Sequence, residues 1–281
     1  MELSEILKFI RTNTDWLYVV IHQNKFFFID YWSFVHFLSG FFLPVVLTNL
    51  KIRRVYFLSI MILLFYEVLE ISLIYLAFNI FRPETIKDQI TDIFIGAAGV
   101  FILSSFKNRT FLSEFWKELS YYFFAMTSSL IVAFIWVGFY KYRYNIEYLN
   151  TAGLNIWAFS LWFVGLFSIC LLYEKLKLMS FRKEISLTIL YAIYLLMLFV
   201  VEFVGYEILG IKEINHSNAS PLIFDLIHGT QALHIFYLLS PILIILIYEG
   251  IKFLFNNFFI SVASAQIRTK SILFETINQT D

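Results

Sequence analysis

Seven stretches of mostly apolar residues, at roughly 31–50, 54–80, 88–106, 119–140, 154–173, 185–209 and 222–249, dominate this chain. Each is long enough to cross ~30 Å of hydrocarbon, which needs about 20 residues in an α-helix. In lipid every backbone polar group must be satisfied within the segment, so the spacing predicts an all-α bundle of about seven transmembrane helices. The composition agrees. The chain is 60% hydrophobic and 20% aromatic, with a mean hydropathy of +0.75, well outside the range of soluble domains.

Charge sets the expected orientation. The loops after spans one, three and five hold Lys51, Arg53, Arg54, Lys107, Arg109, Lys117, Lys175, Lys177, Arg182 and Lys183. The loops after spans two, four and six hold only Arg82, Lys87, Lys141, Arg143 and Lys212. The positive-inside rule then places the N-terminus outside and the C-terminus inside a cell (inner or plasma) membrane. A formal net charge of zero gives no electrostatic footprint for nucleic acid. The single cysteine, Cys170, excludes an intramolecular disulfide and reads as a small packing residue. The acidic opening MELSE lacks the basic start of a cleavable signal.

Four regions follow: an interfacial amphipathic segment (1–28), a three-helix unit (29–106), a second unit of four spans (107–250) and an interfacial or cytoplasmic tail (251–281) that starts apolar and either continues span seven or lies at the inner interface. Glu67, Glu70, Asp88 and Asp92 followed by Glu202, Glu207, Asp225 and His228 hint at a parallel 3+1+3 duplication.

These same residues are the candidate site. A carboxylate at bilayer depth costs on the order of 2.5–3.5 kcal/mol on insertion scales, and pairs, faces a cavity or does chemistry. Glu67/Glu70 and Asp88/Asp92 each share a helix face through i,i+3 and i,i+4 spacing. With the N-terminus outside, these four acids and His36 all fall in the outer half of the membrane, Asp88 at the rim. Asp88 also fits a helix N-cap at the interface. Glu202 and Glu207, with Asp225 and His228, repeat the pattern in spans six and seven, where Glu202 and Glu207 also suit hydrogen bonds to neighbouring Tyr and Ser residues. Gly40, Gly96, Gly99 and Gly229 mark places for close helix approach. Three or four acids in one dry pocket cannot all ionise; they share protons or a cation. Glu67, Glu70, Asp92, Asp225 and His228 are compatible with a divalent cation, the only cofactor the sequence brings to mind.

The motifs DYWSFVHFLSG (His36, Gly40), YEVLE (Tyr66, Glu67, Glu70) and DQITDIFIGAAG (Asp88, Gln89, Asp92, Gly99) resemble the YjdF-type inner-membrane family of unknown function, itself similar to the VanZ-like proteins. The likeness covers about residues 30–105. In place of that family's Gly-Thr-rich turn and tryptophan stands PETIK, residues 83–87. The resemblance implies a membrane location and, through the VanZ-like proteins, an association with envelope-active glycopeptides, but no activity.

Three functions compete. The leading one is an outward-facing acidic and histidine pocket that binds an envelope lipid or amphiphile, with the lipid bilayer itself as partner. The second is a membrane enzyme acting on a lipid phosphate through a carboxylate- and histidine-bound metal; no HExxH, GxSxG or Walker motif is present to support it. The third is a proton- or cation-coupled transporter of small molecules. Span seven has no central lysine, which disfavours a retinal protein.

Overall fold

A computed structural model describes residue 5 and residues 11–76, 85–106, 112–179, 182–214 and 229–278. The chain is all-α. Its long helices are α1 (Tyr31–Asn49), α2 (Val55–Leu76), α3 (Ile86–Phe106), α4 (Leu112–Tyr140), α5 (Ile156–Leu178), α6 (Lys183–Phe203) and α7 (Gln231–Asn278). They follow the seven predicted stretches in order. Six of them are long and apolar enough to cross a membrane. The exception is α3, the stretch that begins among Ile86, Lys87 and Asp88 and carries Asp92. The protein is a multi-pass membrane protein, and large apolar side chains such as Phe57, Phe65, Phe101 and Leu246 point outward where lipid would meet them.

The chain forms two compact units, Met1–Glu114 with Lys252–Asp281, and Phe115–Ile251. In the first unit, Asp30 caps α1: its carboxylate accepts from Ser33 N at 2.9 Å, and Ser33 Oγ lies 3.4 Å from Asp30 N. This reciprocal capping box satisfies two donors that the helix start would otherwise orphan. A two-stranded antiparallel hairpin, β1 (Val20–Gln23) and β2 (Phe28–Asp30), leads into it. The hairpin overlaps the end of the segment (1–28) that the sequence marks as interfacial and amphipathic. The physical reason is local: Asn24 accepts from Phe26 N and Phe27 N at 2.8 Å and so closes a turn between β-branched and aromatic residues. Phe28 N bonds Thr91 Oγ1 and Lys87 Nζ bonds Asn24 O, which ties the hairpin to the first turns of α3.

Helices α1 and α3 cross with backbone against backbone. A Cβ at Gly40 would run into the Gly96 carbonyl, and one at Gly99 into Phe37 O and Phe41 N. Gly96 meets only the Leu63 side chain and the His36 carbonyl at its edge. Small residues at such crossings let TM helices approach closely. Gly229, by contrast, takes a φ of 143°, closed to L side chains, in the turn before α7. Beyond Lys252, α7 continues without a break, and Phe255 packs on Phe41 and Phe42.

In the second unit, Asn155 caps α5, accepting from Ala158 N while its Nδ2 donates to Leu149 O. The α4–α5 loop is stitched to the segment after α6 by Asn145 N to Lys212 O and Ile214 N to Arg143 O. Cys170 is fully buried in α5 beside Ser129 of α4, in keeping with a packing role. After Phe203, α6 ends in one π-helical turn, Val204–Ile208.

Candidate functional site

The crossing at Gly40 and Gly96 decides what happens one turn toward the start of α1. There His36 projects between α2 and α3, and it is 4% exposed. Its Nδ1 stands 3.3 Å from Glu67 Oε1 and its Nε2 3.7 Å from Asp92 Oδ2. Trp32 and Tyr66 wall the ring edge-on, with centroids 5.8 and 5.7 Å away. Glu67, Glu70, Asp88 and Asp92 are all buried as well. The structure therefore brings together the five first-half residues that the sequence singled out.

They are not equivalent. His36, Glu67 and Glu70 each offer a ligand atom within 4.8 Å of the others. Asp92 stands behind the imidazole instead, and is itself fixed by Ser33 Oγ, which donates to its Oδ1 at 2.7 Å. A carboxylate facing one ring nitrogen favours a proton there and leaves the other nitrogen's lone pair free. Here that orientation turns Nδ1 toward the glutamates. Asp88 sits in the first turn of α3, after the Thr85 whose hydroxyl accepts from Asp88 N at 3.2 Å. It is thus a first-turn acid facing the helix dipole rather than the cap residue itself.

The unsatisfied atoms are concentrated in this place. Among the described residues Glu67 Oε2, both oxygens of Glu70 and Asp88 Oδ1 are buried without a hydrogen-bond partner. The Trp32 indole N–H faces Glu70 but lies outside hydrogen-bond geometry. Buried polar atoms are normally paired, so each orphan calls for a missing proton, water or ion. Two glutamates converging on one imidazole add like-charge repulsion to that cost.

The second-half candidates divide. Glu202, in α6, is 7% exposed and accepts from Tyr237 Oη of α7 at 2.5 Å, the interhelical role its sequence context allowed. Glu207 is exposed in the π-turn. Asp225 and His228 lie outside the described residues. Sequence reasoning did not single out Ser33, Asp30 or Trp32. An aspartate immediately before an apolar periodic run is the N-cap signal that marks Asp30, and with it Ser33.

No family model, curated protein or solved structure matches the chain. Fold and site by themselves define an integral membrane protein of the α-helical bundle class with a buried histidine–glutamate group.

Proposed function

We propose that this protein holds a divalent cation at His36, Glu67 and Glu70 and uses it to bind the phosphate of an envelope lipid or related amphiphile. The observation that carries the reading is the convergence of three buried ligand atoms within 4.8 Å, with three of the four glutamate oxygens unpartnered. A dication balances two ionised glutamates, which the surrounding side chains do not. Asp92 and Ser33 supply the support behind the ligating histidine that such centres use. One imidazole with two carboxylates suits Zn²⁺ or Mn²⁺ better than the all-oxygen shell of Ca²⁺. Three protein ligands leave coordination positions open, where a phosphate oxygen can enter.

A phosphate bound there is also polarised for attack, so the lipid-phosphate enzyme is an extension of the same site. The proton- or cation-coupled transporter is the reading in which protons, not a resident metal, neutralise the glutamates. The likeness of residues 30–105 to the YjdF-type and VanZ-like proteins supports an envelope setting in the cell membrane.

The test is lipid retention. The full chain, purified and delipidated in a neutral detergent, is re-exposed to phosphatidylglycerol and to an uncharged diacylglycerol, and bound lipid is counted by mass spectrometry. Phosphatidylglycerol retention should fall about tenfold on chelation and equally in Glu70→Gln, an effect of ~1.4 kcal/mol. Retention that ignores both changes contradicts the lipid reading.

A further inference from the structure

The second unit contains a cavity of about 280 Å³ between α5 and α6, closed at the back by α7 and at one end by the α4–α5 loop. It owes nothing to the cation centre. Its walls include the rings of Tyr142, Tyr144, Trp157, Trp162, Tyr206 and Tyr237. Two carboxylates, Glu202 and Glu213, complete it, and among the described residues no lysine, arginine or histidine lines it.

The rings are held in place before any ligand arrives. Trp136 Nε1 and Trp162 Nε1 both donate to Tyr142 Oη, at 3.0 and 2.9 Å. Trp162 stacks on Tyr237 with centroids 5.7 Å apart and planes at 27°. Tyr237 is fixed in turn by its bond to Glu202. Gly165 and Gly205 stand on the lining, and a Cβ at either would meet nothing within 4 Å. Both glycines therefore preserve room. The rim residues Trp157, Leu161 and Val201 are exposed on helices that qualify as membrane spans, so the mouth opens on a face that lipid would meet.

Aromatic faces attract organic cations through their quadrupoles, best where water is excluded. Carboxylates at membrane depth attract the same charge and repel anions. A wall whose described residues are apolar and aromatic with two acids and no base is complementary to one ligand chemistry. We propose that this cavity binds an organic ammonium group carried on an apolar body, either the headgroup of an amine-bearing lipid or a free hydrophobic amine. Glu202 supplies the counter-charge and the Trp162–Tyr237 stack the aromatic face.

The probe is radiolabelled benzyltrimethylammonium, measured by equilibrium dialysis against the full chain in dodecyl maltoside. Its uncharged isostere, neopentylbenzene, is the control. Saturable binding is expected, with the isostere at least about tenfold weaker. Glu202→Gln, which keeps the Tyr237 acceptor and removes the charge, should weaken the probe by about tenfold or more. Gly165→Leu should abolish binding by filling the cavity while leaving both carboxylates in place; it also decides the question if Glu202→Gln does not fold. Competition by phosphatidylethanolamine, absent with phosphatidylglycerol, identifies the lipid headgroup as the source; no competition by either identifies the free amine. The proposal is overturned if binding is not saturable, if the neutral isostere matches the probe, or if a folded Gly165→Leu binds like the parent.

Discussion

His36 Nδ1 lies 3.3 Å from Glu67 Oε1, joining α1 to α2 through two side chains that are each 5% exposed. Such a contact is favourable only if a proton or a cation sits near it, since a neutral imidazole lone pair and a carboxylate oxygen repel. The pair is positioned by the glycine crossing of α1 and α3 and oriented by the Ser33–Asp92 bond. Each of these supports has a measurable consequence.

Gly40→Ala should destabilise the protein by about 2 kcal/mol, because the new methyl meets Gly96 backbone that cannot rotate away. Gly165→Ala, whose Cβ enters open space, should be neutral or slightly stabilising through helix propensity. Thermal unfolding in detergent checks both. Equal behaviour of the two variants would contradict the close crossing.

Ser33→Ala removes the 2.7 Å bond that holds Asp92. Cation affinity should fall by roughly ten- to a hundredfold, the range seen when support behind a metal-bound histidine is lost. Ser33→Thr, which keeps the hydroxyl, should restore most of it. Titration with Mn²⁺ or Zn²⁺ reads the difference, and a Ser33→Ala variant that binds like the parent removes Asp92 from the supporting role.

Burial pushes the Asp30 carboxyl above the ordinary aspartate range, with its Ser33 hydrogen bonds pulling the other way. A raised value means that the folded state holds the proton more tightly than the unfolded chain. This residue's contribution to stability is therefore fully present below the unfolded value of about 3.9 and declines as pH rises through the raised folded value. Asp30→Asn should flatten that decline. Melting curves from about pH 4 to neutrality, parent against variant, should diverge in this direction; a parallel pair would contradict it.

Helix α3 settles the topology. If it crosses with the six other spans, the two termini lie on opposite sides, N-terminus out and C-terminus in, as the loop charges require. Reporter fusions at both ends should show this. Termini on the same side would leave α3 as a helix that does not cross.

The spans and the acids were legible in the sequence because hydropathy and i,i+3 spacing are local properties. Gly40, Gly96 and Gly99 were legible for the same reason, since small residues in an apolar stretch announce close packing. The division of labour inside the cluster was not. Whether Asp92 ligates or orients depends on which side of the His36 ring it meets, and that is fixed by the α1–α3 crossing. Ser33 looked like one more helix hydroxyl until Asp92, 59 positions away, came into reach. The hairpin was hidden because residues 1–28 read only as an amphipathic segment, while the deciding signal was one Asn24 turn. The aromatic cavity draws on α5, α6, α7 and a loop, so no single window contained it.

The most direct measurement is the metal content of the purified full chain after dialysis against buffer treated to remove trace metals, followed by titration with Zn²⁺ and Mn²⁺. A cation centre at His36, Glu67 and Glu70 predicts about one divalent ion per chain for the parent, with occupancy lost in Glu67→Gln, Glu70→Gln and His36→Ala while the helical circular dichroism is kept. Folded parent protein that takes up no divalent ion, or variants that bind it as well as the parent does, would contradict the centre.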